Sequence, residues 1–355
     1  MIEHLNPYTE NDVFCPLQKN EWKLENTESN VYAVDCFSKM DRLFFFKKQR
    51  QILREAEKHY QPGSYDVFHA YTLFTDGNCA MQLSEKYKVP YVVAVRDADV
   101  NGTCKYKPYL IPRGVEIMEK ASRVFFLSEA YYRTVMEHFV PERKRPAIEK
   151  KAMIVPNGID DFWLNHLYAP EPDEAQLKRI QEKQIRLLCV AQMIPRKNLP
   201  IIPKAMALLR QEGWTVHLEA VGKRKDEKIY QEIASDPDTE CFLPVPKEEL
   251  LKFYHRNDLF VLPSRRETFG LVYAEALSQG LPVIYTKGQG FDGQFPDGQV
   301  GYAVSDTDPR DVADKIKKAC ERHTELAEAA PKAALKFNWD EICRTYASVY
   351  QEIIR

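Results

Sequence analysis

Short apolar runs alternate with amphipathic stretches along this chain, and the alternation predicts strands and helices in turn. Apolar runs at residues 31–37, 66–70, 91–95, 123–127 and 153–155 predict strands in the first half. Runs at 186–191, 216–221, 259–262 and 282–286 do so in the second half. Helices are expected between them, among others at 41–59, 78–87, 198–211, 247–255 and 308–321. Strands that alternate with helices read as parallel, doubly wound sheets. A turn cluster from Val155 to Asp160 ends one series, and the polar stretch 169–184 leads into the next. The expectation is two α/β domains, residues 1–157 and 158–336. The last segment, 337–355, sets Trp339, Ile342, Tyr346, Val349, Tyr350 and Ile353 on one helical face, a stripe that must pack on something.

Composition narrows the class. A chain of 355 residues can bury two ordinary cores. With 50 basic and 52 acidic residues it has no global pull toward nucleic acid. Its 8 cysteines include no C-x-x-C pair and no His/Cys cluster, which argues against zinc and against a disulfide scaffold. No apolar run approaches the roughly 20 residues that span a bilayer. The opening residues lack the basic start and apolar core of a secretion signal, so a reduced, cytoplasmic protein is expected.

The most informative chemistry lies between Glu267 and Glu275. The two carboxylates flank a turn at Gly270 and the start of an otherwise apolar helix, set between the strands 259–262 and 282–286. In a parallel α/β unit, ligands bind where a strand ends and the next helix begins, and the amides of that helix end attract phosphate. Glu275 sits among Ala274, Ala276 and Leu277, so it does not belong to a solvated charged face. A carboxylate held there needs donors, and sugar hydroxyls supply them.

The block from Pro263 to Val283 resembles the E-x7-E signature of retaining, GT-B-fold nucleotide-sugar glycosyltransferases of the family-4 type. Other stretches extend the resemblance over most of residues 60–350. Asn157-Gly158-Ile159-Asp160 is similar to the family's interdomain turn. The segment 187–198 is similar to its strand–loop–helix that grips the donor diphosphate, with Lys197 at the lysine position, Gln192 where an arginine is usual and Arg196 near enough to compensate. Gly222 matches the first glycine of a G-x-G turn, and the run around Val245 resembles the segment that cradles the nucleobase.

The resemblance implies two Rossmann-like domains facing across a cleft, with the C-terminal helix crossing back to the first. It implies transfer of a sugar from a nucleotide diphosphate donor to an acceptor hydroxyl with retention, in cell-surface polysaccharide or glycolipid synthesis. Glu267 would contact the donor sugar and Glu275 the ribose. Phe269, Gly270 and Leu271 would offer backbone amides to the diphosphate, and Lys197, with Arg196, would neutralise the leaving group. No cofactor and no metal is then needed.

In the first domain, Asp66-Val67-Phe68-His69-Ala70-Tyr71 resembles the family's D-x-x-H-x-H strand end, with Tyr71 at the second histidine. His69 is therefore a catalytic candidate, with a packed histidine as the competing reading. The Asp97-x-Asp99 spacing has the form of a metal motif, but the surrounding architecture argues against metal there. The family's glycine-rich N-terminal loop has no counterpart, since the first glycine is Gly63. Either residues 6–11 build that loop or the opening strand is short. Lys47, Lys48 and Arg50 read as a solvated helix face. The stretch 105–113 interleaves tyrosines with cations, which suits a lipid-linked acceptor or a peripheral contact at the inner face of a membrane, with an ordinary exposed loop as the competing reading.

Two rival readings follow from the departures. Gln192, Tyr71 and the glycine-poor start fit a catalytically silent GT-B scaffold that binds nucleotide sugars. A Rossmann dehydrogenase would need a G-x-G-x-x-G fingerprint, which is absent.

Overall fold

A computed structural model describes residues 1–19, 31–170 and 173–354 of the chain. Residues 171 and 172 of the polar stretch predicted before the second domain lie outside these. The chain divides into two compact units. The first comprises Met1–Leu127, Tyr132–Val155 and Asp340–Arg355, and the second comprises Ser128–Tyr131 and Pro156–Trp339. Each is a parallel α/β unit among the described residues, and the reversal of strand order that makes a sheet doubly wound is seen in the second.

In the first unit, β1 (Val13–Gln18) pairs with β2 (Val31–Phe37). A four-stranded sheet follows in sequential order: β3 (Phe68–Ala70), β4 (Tyr91–Val95), β5 (Arg123–Phe126) and β6 (Ala152–Ile154). All five residues of β4 are buried, as expected of a strand covered on both faces. The helix Trp339–Ile354 is counted with this unit, and it buries Ile342, Cys343, Tyr346, Ala347, Val349 and Tyr350. Of the predicted stripe, Ile342, Tyr346, Val349 and Tyr350 are buried, while Trp339 is counted with the second unit and Ile353 is half-buried.

The second unit has six strands in the order β12-β11-β10-β7-β8-β9. These are β7 (Gln184–Val190), β8 (Thr215–Val221), β9 (Thr239–Phe242), β10 (Leu259–Leu262), β11 (Val283–Thr286) and β12 (Gly301–Val304). β10 and β11 are buried along their whole length. Each fully buried Val, Leu or Ile in them contributes about 1.5–3 kcal/mol relative to exposure.

Several expectations need correction. The strand predicted from residue 66 opens only at Phe68, where the ladder begins with its amide donating to Pro90 O. The helix predicted from 41 starts at Phe45, because Ser38 and Asp41 close a separate 3-10 turn over Lys39–Leu43. The helix predicted from 198 starts at Ile201, because Asn198 takes a left-handed φ of 55°. β1, β9 and β12 were not predicted. Residues 6–11 form a turn ahead of β1, closed by Asn11 and Thr9 side chains, so they do not build a loop after it. The connection that does follow β1 falls on residues 20–30, outside those described.

Candidate functional site

β7 and β10 are neighbours, and from that junction the strand order departs in both directions. In a parallel sheet a crevice opens at such a switch point, outside the C-terminal ends of the strands. The segments that leave β7 and β10 meet there, although they are far apart in sequence.

After β7 the chain makes a 3-10 turn, Pro195–Lys197, and reverses through Asn198. The Asn198 amide donates to Pro263 O (3.0 Å) and Asp306 O (2.7 Å), which ties this loop to the end of β10. Lys197 Nζ then lies 2.5 Å from Glu267 Oε2, with both side chains largely buried. Ser264 Oγ donates to the same oxygen at 3.3 Å. The backbone of Glu267 is held on both sides. Its amide donates to Gln289 Oε1 (3.0 Å), while its carbonyl accepts from Gly290 N (3.1 Å) and Tyr131 OH (2.7 Å). Ser264, Gln289, Gly290 and Tyr131 were not found from sequence, since no local pattern ties them to Glu267.

The turn to the next helix needs a glycine. Gly270 has a φ of 81°, and a Cβ there would lie 2.4 Å from the Tyr273 ring. The helix Leu271–Ser278 begins at once, with Leu271 exposed and Tyr273 donating its hydroxyl to Leu262 O. A helix leaves its first amides without intrahelical partners, which suits an anion at this point. The Phe269 side chain is buried against Phe337 (ring centroids 5.5 Å apart), so only its backbone can face a ligand.

Glu275 lies one turn further along this helix. Its carboxylate has one hydrogen bond among the described residues, from Tyr254 OH at the long distance of 3.5 Å. Burial raises its pKa to about 7, partly opposed by Lys247 and by the Tyr254 hydroxyl. Such a carboxylate is short of donors.

The remaining candidates are placed less tightly. Arg196 and Gln192 are exposed, and Val245 is half-buried in the loop after β9. Gly222 has a structural need of its own, because a Cβ there would lie 1.8 Å from Ala191 O where β7 and β8 end side by side.

His69 belongs to the first unit and is enclosed there by the C-terminal helix. Its Nδ1 lies 2.5 Å from Tyr350 OH, and its ring stacks on Tyr71 (centroids 4.6 Å, 7° between planes). Its Nε2 is buried without a hydrogen-bond partner. Burial, and then Arg96, lower its pKa to about 3, so the ring is neutral. Asp99 is also buried and accepts from the amides of Leu73, Phe74 and Arg96 at 2.9, 3.2 and 2.9 Å. Its carboxylate organises the backbone, while Asp97 accepts from Asn101 Nδ2 at 2.7 Å.

One grouping among the described residues has metal-like composition: His217, Glu219 and Glu240, with ligand atoms within 4.8 Å of one another. Glu219 already accepts from Arg256 (2.9 and 2.5 Å) and from Asn257 (2.6 Å). That guanidinium makes the cluster an ion-pair network.

A lysine–carboxylate pair at the switch point of one parallel sheet, in a chain with two such units, defines a class: the two-Rossmann GT-B fold. The chain superposes on a sucrose-phosphate synthase of Thermosynechococcus elongatus with a TM-score of 0.70 at 17% identity, covering 96% of this chain and 88% of that one. It also superposes on the Anabaena protein HepE, solved with UDP and glucose, with a TM-score of 0.62 at 18% identity, covering 91% and 85%. Residues 171–337, which lie within the second unit, match the family described as "Glycosyl transferases group 1". Among curated relatives, the D-inositol 3-phosphate glycosyltransferase of Corynebacterium kroppenstedtii is 27% identical over 190 residues, 51% of this chain and 40% of its own length. The enzyme of the same name from Geodermatophilus obscurus is 26% identical over 321 residues, 84% of this chain and 69% of its own length. The chain thus spans less than half of the first of these relatives. No described helix is long and apolar enough to cross a membrane.

Proposed function

We propose that the protein transfers a sugar from a nucleotide diphosphate donor to an acceptor hydroxyl, with retention at the anomeric carbon, in polysaccharide or glycolipid synthesis. The observation that carries this reading is the Lys197–Glu267 pair at the switch point, with the donor-poor carboxylate of Glu275 on the adjoining helix. In this scheme the Lys197 ammonium and the first amides of the helix Leu271–Ser278 meet the donor diphosphate. They stabilise the charge that develops as it leaves. Glu267 uses Oε2 to hold Lys197, leaving Oε1 to accept from a hydroxyl of the sugar. Glu275 accepts from the ribose hydroxyls. The departing phosphate oxygen takes the acceptor proton, so no separate carboxylate base is assigned.

No cofactor and no divalent metal takes part in this scheme, and transfer should survive EDTA. The location that suits it is the cytoplasm, where nucleotide sugars are available. The relatives' names give the acceptor screen a first member, D-inositol 3-phosphate, to be run beside lipid-linked glycans. The test begins with thermal shift against UDP, GDP, ADP and their sugar conjugates, because a ligand of the folded state raises Tm by mass action. A selective shift with one nucleotide, lost in Lys197→Met, supports the reading; no shift with any of them overturns it. The exposed Gln192 in place of a fixed cation favours a second reading, a silent nucleotide-sugar-binding scaffold. Selective binding with neither transfer nor slow donor hydrolysis would select that one.

A further inference from the structure

Among the described residues, the strands of the first unit form two separate sheets: β1 pairs with β2, and β3 opens the second sheet. A cavity of about 580 Å³ lies between β1 and β3. Val13 of β1, Ile52 and Ala56 of the helix Phe45–His59 and Leu83 of the helix Thr75–Tyr87 give it an apolar wall. Its size is that of a small-molecule site. Where the two strands begin, the wall becomes aromatic. Tyr60 OH donates to Val13 O (3.1 Å) and Tyr65 OH donates to Asp12 Oδ2 (2.5 Å), which ties the approach to β3 to the start of β1. Tyr60 meets Phe14 edge-on (centroids 5.9 Å apart) and Tyr65 at 6.2 Å, and Tyr65 lies 6.3 Å from Phe68. All four rings line the cavity.

The charge on this lining has one sign. It includes Asp12 and Asp76 and neither lysine nor arginine. Asp76 is balanced from outside the lining. It accepts from Thr72 Oγ1 (3.0 Å), and burial, which raises its pKa, is opposed by that bond and by Lys48 and Arg96. Asp12 is exposed, and its carboxylate meets the Tyr65 hydroxyl without an ion-pair partner among the described residues. The uncompensated negative charge therefore stands at the aromatic end. His69 adds a further polar atom to the wall, because its neutral ring lines the cavity and its Nε2 is buried without a hydrogen-bond partner.

We propose that the cavity between β1 and β3 binds a small organic cation, an ammonium group that carries an aryl or alkyl body. The ammonium sits at the aromatic end, where the rings of Tyr60, Tyr65, Phe14 and Phe68 and the Asp12 carboxylate all attract positive charge. The body lies along Val13, Ile52, Ala56 and Leu83, and His69 Nε2 meets a polar group on it. An anion would face two carboxylates with no cation in the wall, and a neutral molecule would gain nothing from Asp12. The inference does not depend on the transferase reading, since neither nucleotide nor acceptor enters it.

The test is calorimetric titration of the purified full chain with 2-phenylethylammonium chloride, its neutral analogue 2-phenylethanol and the anion phenylacetate. The ammonium should bind saturably, the alcohol about tenfold more weakly and phenylacetate not at all. Asp12→Asn should weaken the ammonium roughly two- to fivefold and leave the fold intact, because Asp12 is exposed. Tyr60→Leu should weaken it about tenfold, while Tyr60→Phe, which keeps the ring, binds as the parent does. The His69 ring nitrogen resonances should move during the titration. Wild-type protein that binds none of the three, or binds the alcohol as tightly as the ammonium, would overturn the proposal. So would full affinity in both Asp12→Asn and a folded Tyr60→Leu. Binding that leaves the His69 resonances unmoved would lie elsewhere on the molecule and overturn it equally.

Discussion

Replacing Glu275 by glutamine keeps the shape of the side chain and removes its ionisation. The wild-type carboxyl has its pKa raised from 4.5 to about 7, chiefly by burial. A rise of that size is worth about 3 kcal/mol between the two protonation states, and water at this half-buried position reduces it to about 1.5–2 kcal/mol. The folded protein holds this proton more tightly than the unfolded chain. The group therefore costs nothing below pH 4.5, costs increasingly as pH rises toward about 7, and costs a constant amount above it. Urea unfolding at about pH 5 and about pH 8 should show the wild type losing about 1.5–2 kcal/mol relative to Glu275→Gln. Nucleotide binding should respond in the opposite sense, because ribose hydroxyls donate best to the ionised form. Wild-type affinity should rise up to about tenfold per pH unit below pH 7 and then level, while the variant binds about tenfold or more weakly with a flat profile. Parallel pH profiles for the two proteins, in both unfolding and calorimetric titration with the nucleotide, would refute the reasoning.

Lys197→Met leaves Glu267 buried without its cation and should cost about 3–5 kcal/mol in urea unfolding. Lys197→Met/Glu267→Leu should recover most of that stability and none of the diphosphate binding, which separates the structural role of the pair from its chemical one. Gly222→Ala places a Cβ 1.8 Å from Ala191 O and should lower Tm strongly, whereas Gly102→Ala, with nothing within 4 Å, should leave Tm unchanged. Tyr350→Phe removes the hydroxyl that meets His69 Nδ1 and should cost about 1 kcal/mol by chemical denaturation, with an NMR-detected His69 ring that stays neutral to pH 5 in the parent.

The alternation of strands and helices was legible along the chain because buried parallel strands are continuously apolar, as in β4, β10 and β11. Strands without that signature escaped. β1 carries Pro16, tolerated because β1 has a single partner strand among the described residues, β9 reads Thr-Glu-Cys-Phe, and β12 begins on a glycine. The Glu267–Gly270–Glu275 arrangement could also be read locally, since a turn and one helical turn fix its geometry. What lay beyond reach was whatever depends on strand order. Lys197 meets Glu267 only because β7 and β10 lie side by side in the sheet. The elevated pKa of Glu275 comes from burial that only the fold supplies, and the groups that oppose it, Lys247 and Tyr254, arrive from another helix. His69 carries the same lesson. Its position at a strand end was visible, but its enclosure by Tyr346 and Tyr350 came with the fold, because an amphipathic helix records that it must be covered and not by what.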